Sequence, residues 1–301
     1  MLSFNHLVFI EVAKNLSFTK AGEIMFISQP AISKHIRNLE EYYKTPLFER
    51  IKGNVSLTEA GKILQHHLQI ASSLTKQIEF EIGSVNNKQL LNGELRLGAS
   101  TTIALYIIPA ILSAFRKQNI GVKISLLNRN SENVMEALLA HEIDLAIIEG
   151  KDKMANVSSQ FFLTEKVVSV CSAKSYLTKQ LTYTLNELKQ IPISLRERGS
   201  GTLAAISQAL LVHDIKLSDL NVCMRLGGTE ALKNFILADD SLGFLPLKAV
   251  AKELERGEMA RLEIEELTVD RHFYFIQRLG DNTGINKEFI RFAKNHYNLL
   301  L

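Results

Sequence analysis

A chain of 301 residues, 46% hydrophobic and 22% charged, is too long for one ordinary core at about 100 to 200 residues per domain and too apolar for disorder. Its formal net charge of +3 neither demands nor forbids a nucleic-acid partner, because a DNA-binding footprint depends on local clustering. Asn5, His6, Glu11 and Lys14 interrupt the start of the chain, so no signal peptide is expected; no stretch reaches the ~20 apolar residues of a membrane span, and a cytoplasmic location is anticipated.

Phe9, Val12, Ala13 and Leu16 recur at helical spacing and predict an amphipathic helix ending near Asn15 and Leu16. Ser17 is placed to cap a short second helix running to about Met25, in which Gly22 costs up to ~1 kcal/mol. Ser28 caps a third helix with Pro30 in its first turn, where a missing N–H does no harm. Ile32, Ile36 and Leu39 share one face of that helix, while Ser28, Gln29, Pro30, Ser33, Lys34 and Arg37 lie at its start or along an exposed arc. Short polar side chains there can reach base edges, and lysine or arginine can neutralise phosphates. After Pro46 the segment Leu47 to Leu57 alternates loosely and carries Arg50 and Lys52 beside Gly53-Asn54, a candidate basic hairpin. A three-helix domain with a solvated charged face would show the same spacing.

The residues themselves are more specific. Ser17-Phe18-Thr19, Ala21, Ser28-Gln29-Pro30-Ala31-Ile32-Ser33, Ile36, Leu39-Glu40, Leu47-Phe48, Arg50, Leu57-Thr58 and Ala60-Gly61 resemble the DNA-binding domain of LysR-type transcription regulators. The resemblance implies an all-α winged helix-turn-helix over residues 1–58, with the helix from Ser28-Gln29-Pro30 as recognition helix and Arg50 in the wing. Gly22 departs from the family's usual alanine.

Thr58 can cap a long helix to about Val85. Leu64, Leu68, Ala71, Thr75, Ile78, Ile82 and Val85 alternate steps of four and three, a heptad seam that buries itself best against a second copy. Residues 59–93 are therefore expected to form a linker and dimerisation helix with a polar connector at 84–93; the resemblance favours the dimer, and beyond it a tetramer.

From Glu94 to the last residue, short apolar strands alternate with helices, the pattern of an α/β domain. Strands are predicted at 95–98, 122–127, 144–148, 167–172, 222–226, 242–246 and 272–277. Leu97-Gly98-Ala99-Ser100, Ile108-Pro109, Phe115, Asp144-Leu145-Ala146-Ile147 and Gly243-Phe244-Leu245-Pro246 resemble the LysR-type effector domain. That likeness implies two α/β lobes joined by crossing strands, as in periplasmic solute-binding proteins. Lobe I is expected at 94–163 plus 267–301 and lobe II at 164–266.

Two strand-to-helix loops are rich in hydrogen-bond donors. Ser100, Thr101 and Thr102 offer hydroxyls and free N–H groups at a helix start, a setting for an anion. Arg196-Glu197-Arg198-Gly199-Ser200-Gly201-Thr202 offers the same with glycines that admit close approach. Candidate effector contacts are Ser100, Thr101, Thr102, Arg196, Ser200, Gly201 and Thr202, with Asn128, Asn130, Ser131 and Thr229 as weaker members that work equally as caps. Both loops resemble those of LysR-type branches responding to small anions in sulfur assimilation and carbon fixation. The expected partners are promoter DNA, a small and anionic effector, a second copy of the chain, and RNA polymerase.

No nucleophile elbow, Walker loop, Rossmann fingerprint or zinc-protease helix is present, so no enzyme activity, catalytic residue or cofactor is expected. His66 and His67 are adjacent on the linker helix and point to different sides, a poor metal pair, and no metal site is expected. Cys171 and Cys223 lack ligand or disulfide spacing and are expected as buried reduced thiols.

Overall fold

A computed structural model describes residues 2–51, 54–86, 91, 93–150, 154, 157–279, 281 and 284–298. The chain divides into two compact units, Met1–Gln89 and Leu90–Leu301.

The first unit begins with α1 (Phe4–Asn15), α2 (Phe18–Met25) and α3 (Gln29–Tyr43). The Ser17 hydroxyl accepts from the Lys20 N–H at 3.2 Å and that of Ser28 from Ala31 at 3.4 Å, so the expected caps start α2 and α3. Leu16 and Phe26 stop the preceding helices in left-handed conformation, at φ 46° and 56°, which turns the chain sharply between them. Phe9, Val12, Ile32, Ile36 and Leu39 are buried together. Gly22 has a packing reason: a Cβ there would meet the Ile27 carbonyl oxygen at 2.8 Å, so the close turn between α2 and α3 offsets the helical cost of glycine.

The wing is a hairpin of β1 (Phe48–Ile51) and β2 (Asn54–Leu57), paired from Phe48↔Leu57 to Ile51↔Asn54. The Glu40 carboxylate of α3 accepts from the Leu47 N–H at 2.8 Å, tying the start of the hairpin to α3. Thr58 then opens α4 (Glu59–Asn86). Its hydroxyl accepts from the Gly61 N–H at 3.0 Å and donates to the Pro46 carbonyl at 2.8 Å. Leu68 of α4 is buried in the three-helix core, whereas Ile78 and Ile82 are 48% and 61% exposed. Thr75 donates its hydroxyl to the Ala71 carbonyl at 2.9 Å, which satisfies the polar group within the helix and leaves its methyl for the seam. The Val85 side chain and residues 87–90 and 92 of the expected connector lie outside the described residues.

The second unit runs β3 (Gly93–Ser100), a π-helical turn (Ile103–Ile107), α5 (Ile108–Gln118), β4 (Val122–Arg129), α6 (Ser131–Leu139), β5 (Leu145–Glu149), β6 (Val157–Ser172), β7 (Thr182–Tyr183), α7 (Leu185–Leu188), β8 (Ile193–Arg196), α8 (Gly201–Leu211), β9 (Val222–Leu226), α9 (Thr229–Ala238), β10 (Leu242–Pro246), α10 (Leu247–Glu255), β11 (Met259–Ile264), β12 (Val269–Arg278) and α11 (Gly284–Asn298). Strand order is β4-β3-β5-β12-β6-β10-β8-β9, with β11 paired to β6 and β7 paired to β11. β3 is parallel to β4 and β5, and β8 to β9 and β10. β6 and β12 are antiparallel from Val269↔Val167 to Arg278↔Val157 and traverse both lobes. Helices cover both faces of the lobe II strands: Leu195, Leu203, Ile206 and Phe244 pack on one side, Val170, Leu232, Ile236 and Leu245 on the other.

Three expectations change. β6 starts at Val157 instead of Val167, because Ser158, Ser159 and Gln160 hide a strand that pairs on its edges while exposing some side chains. The helix expected through Ile103 to Phe115 opens with a π-helical turn before Pro109. Cys171 is buried, but Cys223 is exposed on β9, the strand that ends the sheet.

Candidate functional site

On α3, Ser28, Gln29, Pro30, Lys34 and Arg37 are exposed and Ser33 is half-buried. Ile32, Ile36 and Leu39 face the core, so helical periodicity turns the polar arc outward. The Gln29 amide donates to the Ser33 hydroxyl at 2.9 Å, fixing two polar groups of the exposed arc relative to each other. Arg50 is in β1 next to the turn; its side chain, and Lys52 altogether, lie outside the described residues.

In the second unit Ser100, Thr101, Thr102, Asn130, Ser131, Glu149, Arg196, Ser200, Gly201 and Thr202 line one narrow, partly open space between the lobes. The two expected loops are thus brought together, each at the end of a strand and before a helix. Asn130 caps α6 through the Asn133 N–H at 2.9 Å, and Ser200 caps α8. Across the lobes the Asn130 amide donates to the Arg198 carbonyl at 3.3 Å, and the Glu132 N–H to that of Gly199 at 3.3 Å. Asn128 is exposed on β4 and does not line the space; Thr229 is fully buried behind it.

At the centre is Arg271, a residue that sequence reasoning did not single out. It is 3% exposed and belongs to β12, one of the two strands common to both lobes. One terminal nitrogen donates to Glu149 Oε1 at 2.8 Å and Thr202 Oγ1 at 2.7 Å; the other donates to Thr102 Oγ1 at 2.8 Å and Glu165 Oε2 at 2.6 Å. A guanidinium only donates, so both threonine hydroxyls must accept from it, and each keeps its own hydrogen for another acceptor. Ser100 is 3% exposed, and its hydroxyl has no partner among the described residues. The strand pattern held a signal: Val269, Arg271 and Phe273 share the buried face of β12, where a charged residue requires a reason.

Arg196, expected as an anchor, lines the space but is already engaged. Its guanidinium makes a two-pronged pair with Glu197 at 2.8 and 2.9 Å and donates to the Thr229 hydroxyl at 2.7 Å. Burial pushes the Glu197 carboxyl upward, but the hydrogen bonds and charge of Arg196, joined by backbone N–H groups, together outweigh it and hold the group below the ordinary range. Glu165 goes the other way: burial raises its carboxyl above the ordinary range, and Arg271 opposes this only in part.

The chain matches the lysR-family model of bacterial regulatory helix-turn-helix proteins over residues 5–62 and the LysR substrate binding domain over residues 88–298. It is 30% identical to the HTH-type transcriptional activator CmpR of Synechocystis sp. over 92% of this chain and 90% of that one. To the HTH-type transcriptional regulator CysL of Bacillus subtilis it is 26% identical over 96% and 95%. The regulatory domain of Synechocystis CcmR, solved in complex with 2-PG, superposes with a TM-score of 0.61 at 25% identity, covering 68% of this chain and 98% of that domain. With both domains matched in sequence order, and relatives named as HTH-type transcriptional regulators, the chain belongs to the LysR family of transcription regulators.

Proposed function

We propose that this LysR-type regulator answers to a small anion held between the lobes by Ser100, Thr101, Thr102, Asn130, Ser200, Gly201 and Thr202. The observation that carries this is the pair of hydroxyls, Thr102 and Thr202, both accepting from Arg271 and therefore both left to donate into the same space. Helix starts beside them add N–H groups without partners inside the helix. Arg196 and Thr229 brace the lobe II side of the site.

Residues 1–58 contact promoter DNA through Ser28, Gln29, Pro30, Ser33, Lys34 and Arg37, with Arg50 and Lys52 in the wing. Residues 59–93 pair with a second copy through α4, and two such dimers form a tetramer. Residues 94–301 sense the effector, with lobe I at 94–163 plus 267–301 and lobe II at 164–266, and contact with RNA polymerase at the promoter completes the output. The effector shifts the equilibrium between arrangements of the paired DNA-binding domains by binding one better than the other. The protein works in the cytoplasm; no helix among the described residues is long and apolar enough to cross a membrane.

The test is a melting screen of the full chain against sulfate, phosphate and short phosphorylated acids, since a ligand of the native fold raises apparent stability by mass action. A binding anion must also alter operator affinity or DNA bending. Stabilisation by none of them, or stabilisation without any effect on operator binding, rejects the reading.

A further inference from the structure

Both guanidinium groups at the site are already matched by carboxylates, Arg196 by Glu197 and Arg271 by Glu149 and Glu165. Glu149 stands out among these because it lines the space itself. It closes β5 at the mouth of lobe I, and its side chain reaches across to lobe II. One carboxylate oxygen accepts from Arg271 at 2.8 Å, and the other accepts from the Ser131 hydroxyl in the first turn of α6. The same carboxylate is packed so closely on Gly201, in the first turn of α8, that any Cβ there would collide with it. A negative group is thus seated among an arginine, a hydroxyl and two helix starts, the surroundings that attract an anion. Beside it Ser100 is 3% exposed and its hydroxyl has no partner among the described residues.

We infer that Glu149 is an internal competitor for the effector anion, occupying the anion position between α6 and α8 and bridging the lobes from it. This inference rests on the anion reading of the cleft. An incoming anion takes over the donors of Arg271 and Ser131 and the first-turn N–H groups of α8, and the Glu149 side chain swings out of the cleft. Two like charges cannot share the position at low cost, so the glutamate lowers affinity and makes ligand entry and release of the Glu149 bridge one event. Gly201 is the complement of this arrangement: its lack of a side chain gives the carboxylate its seat.

The experiment titrates sodium sulfate and potassium phosphate into the full-length protein by calorimetry, at ionic strength held constant with chloride. Wild type is compared with Glu149→Gln, which keeps size and removes charge, and Glu149→Asp, which keeps charge for Arg271 but withdraws it by one methylene. Melting curves verify folding, and the aspartate variant carries the test if the glutamine variant does not fold. The expected result is at least tenfold tighter anion binding in Glu149→Gln, about 1.4 kcal/mol, with a smaller gain in Glu149→Asp. Anion binding in wild type with no gain, or with loss, in the variants overturns the competitor role and leaves the anion site standing. Binding by none of the three proteins overturns both. Tight binding of a zwitterionic amino acid to wild type that disappears in Glu149→Gln also overturns it, since Glu149 would then be a ligand-pairing group.

Discussion

Thr102 of lobe I and Thr202 of lobe II accept hydrogen bonds from the two terminal nitrogens of a single guanidinium, that of Arg271, at 2.8 and 2.7 Å. Their hydroxyl hydrogens are thereby oriented without any contact between the threonines themselves. Thr102→Val and Thr202→Val should each weaken binding of the anion found in the melting screen by about tenfold to a hundredfold, the loss of a hydrogen bond to a charged ligand. Serine at either position should retain most of the affinity. Calorimetry checks this, and valine variants that bind as wild type would remove the hydroxyls from the site.

Arg271 holds two carboxylates in the interior, so deleting it leaves charge without a partner. Arg271→Met should cost about 3 to 5 kcal/mol in urea unfolding, and adding Glu165→Gln should recover part of it. Glu165→Gln alone also tests the titration of this group. Because burial raises its folded value above the ordinary 4.5, its contribution is fully present below that value and is lost as pH rises through the raised one. The melting temperature of Glu165→Gln relative to wild type should therefore climb as pH goes from about 4 to 7. A constant difference across that range would show that folding leaves the group's titration unchanged, and a falling one that the pair with Arg271 holds it ionised.

Ile78 and Ile82 stand 48% and 61% exposed on α4, one helical turn apart and beyond the reach of the three-helix core. Changing both to Asp should dissociate the dimer in sedimentation and weaken operator binding with it, since facing carboxylates would be buried without partners. An intact dimer would place the self-contact elsewhere.

On the DNA face, Ser33→Ala should relax base preference at one operator position at a cost of about 1 to 3 kcal/mol, and Gln29, bonded to the same hydroxyl, should show coupled effects in a double-mutant cycle. Arg37→Ala should instead weaken all duplexes alike and flatten the salt dependence by about one phosphate. Equal affinity and equal salt slope for both variants would move the DNA-facing surface off this arc.

What could be read from the chain was local. Ser17, Ser28 and Thr58 cap the helices they precede because a cap is settled within three residues of sequence. The two donor-rich loops were legible for the same reason. Arg271 was not, since its partners Thr102, Glu149, Glu165 and Thr202 come from four other segments. The commitment of Arg196 to Glu197 was hidden too: adjacent charges in a loop do not say whether they meet each other or a ligand. Gly22 looked like a local cost until the Ile27 carbonyl showed what the missing side chain makes room for.

β12 pairs with β5 on one side and β6 on the other, and this sets an order of events on the ribosome. The helical unit at the start of the chain needs only near neighbours and can fold while the remainder is still being made. Lobe I cannot. β3, β4 and β5 emerge early, but the strand that extends their sheet is synthesised after the whole of lobe II, roughly ten seconds later at ordinary rates of translation. During that interval the β5 edge is open, and an open edge is a template for wrong pairing. β12 pairs with β5 and with β6, so the strand that closes this edge is also the one lobe II lacks until then.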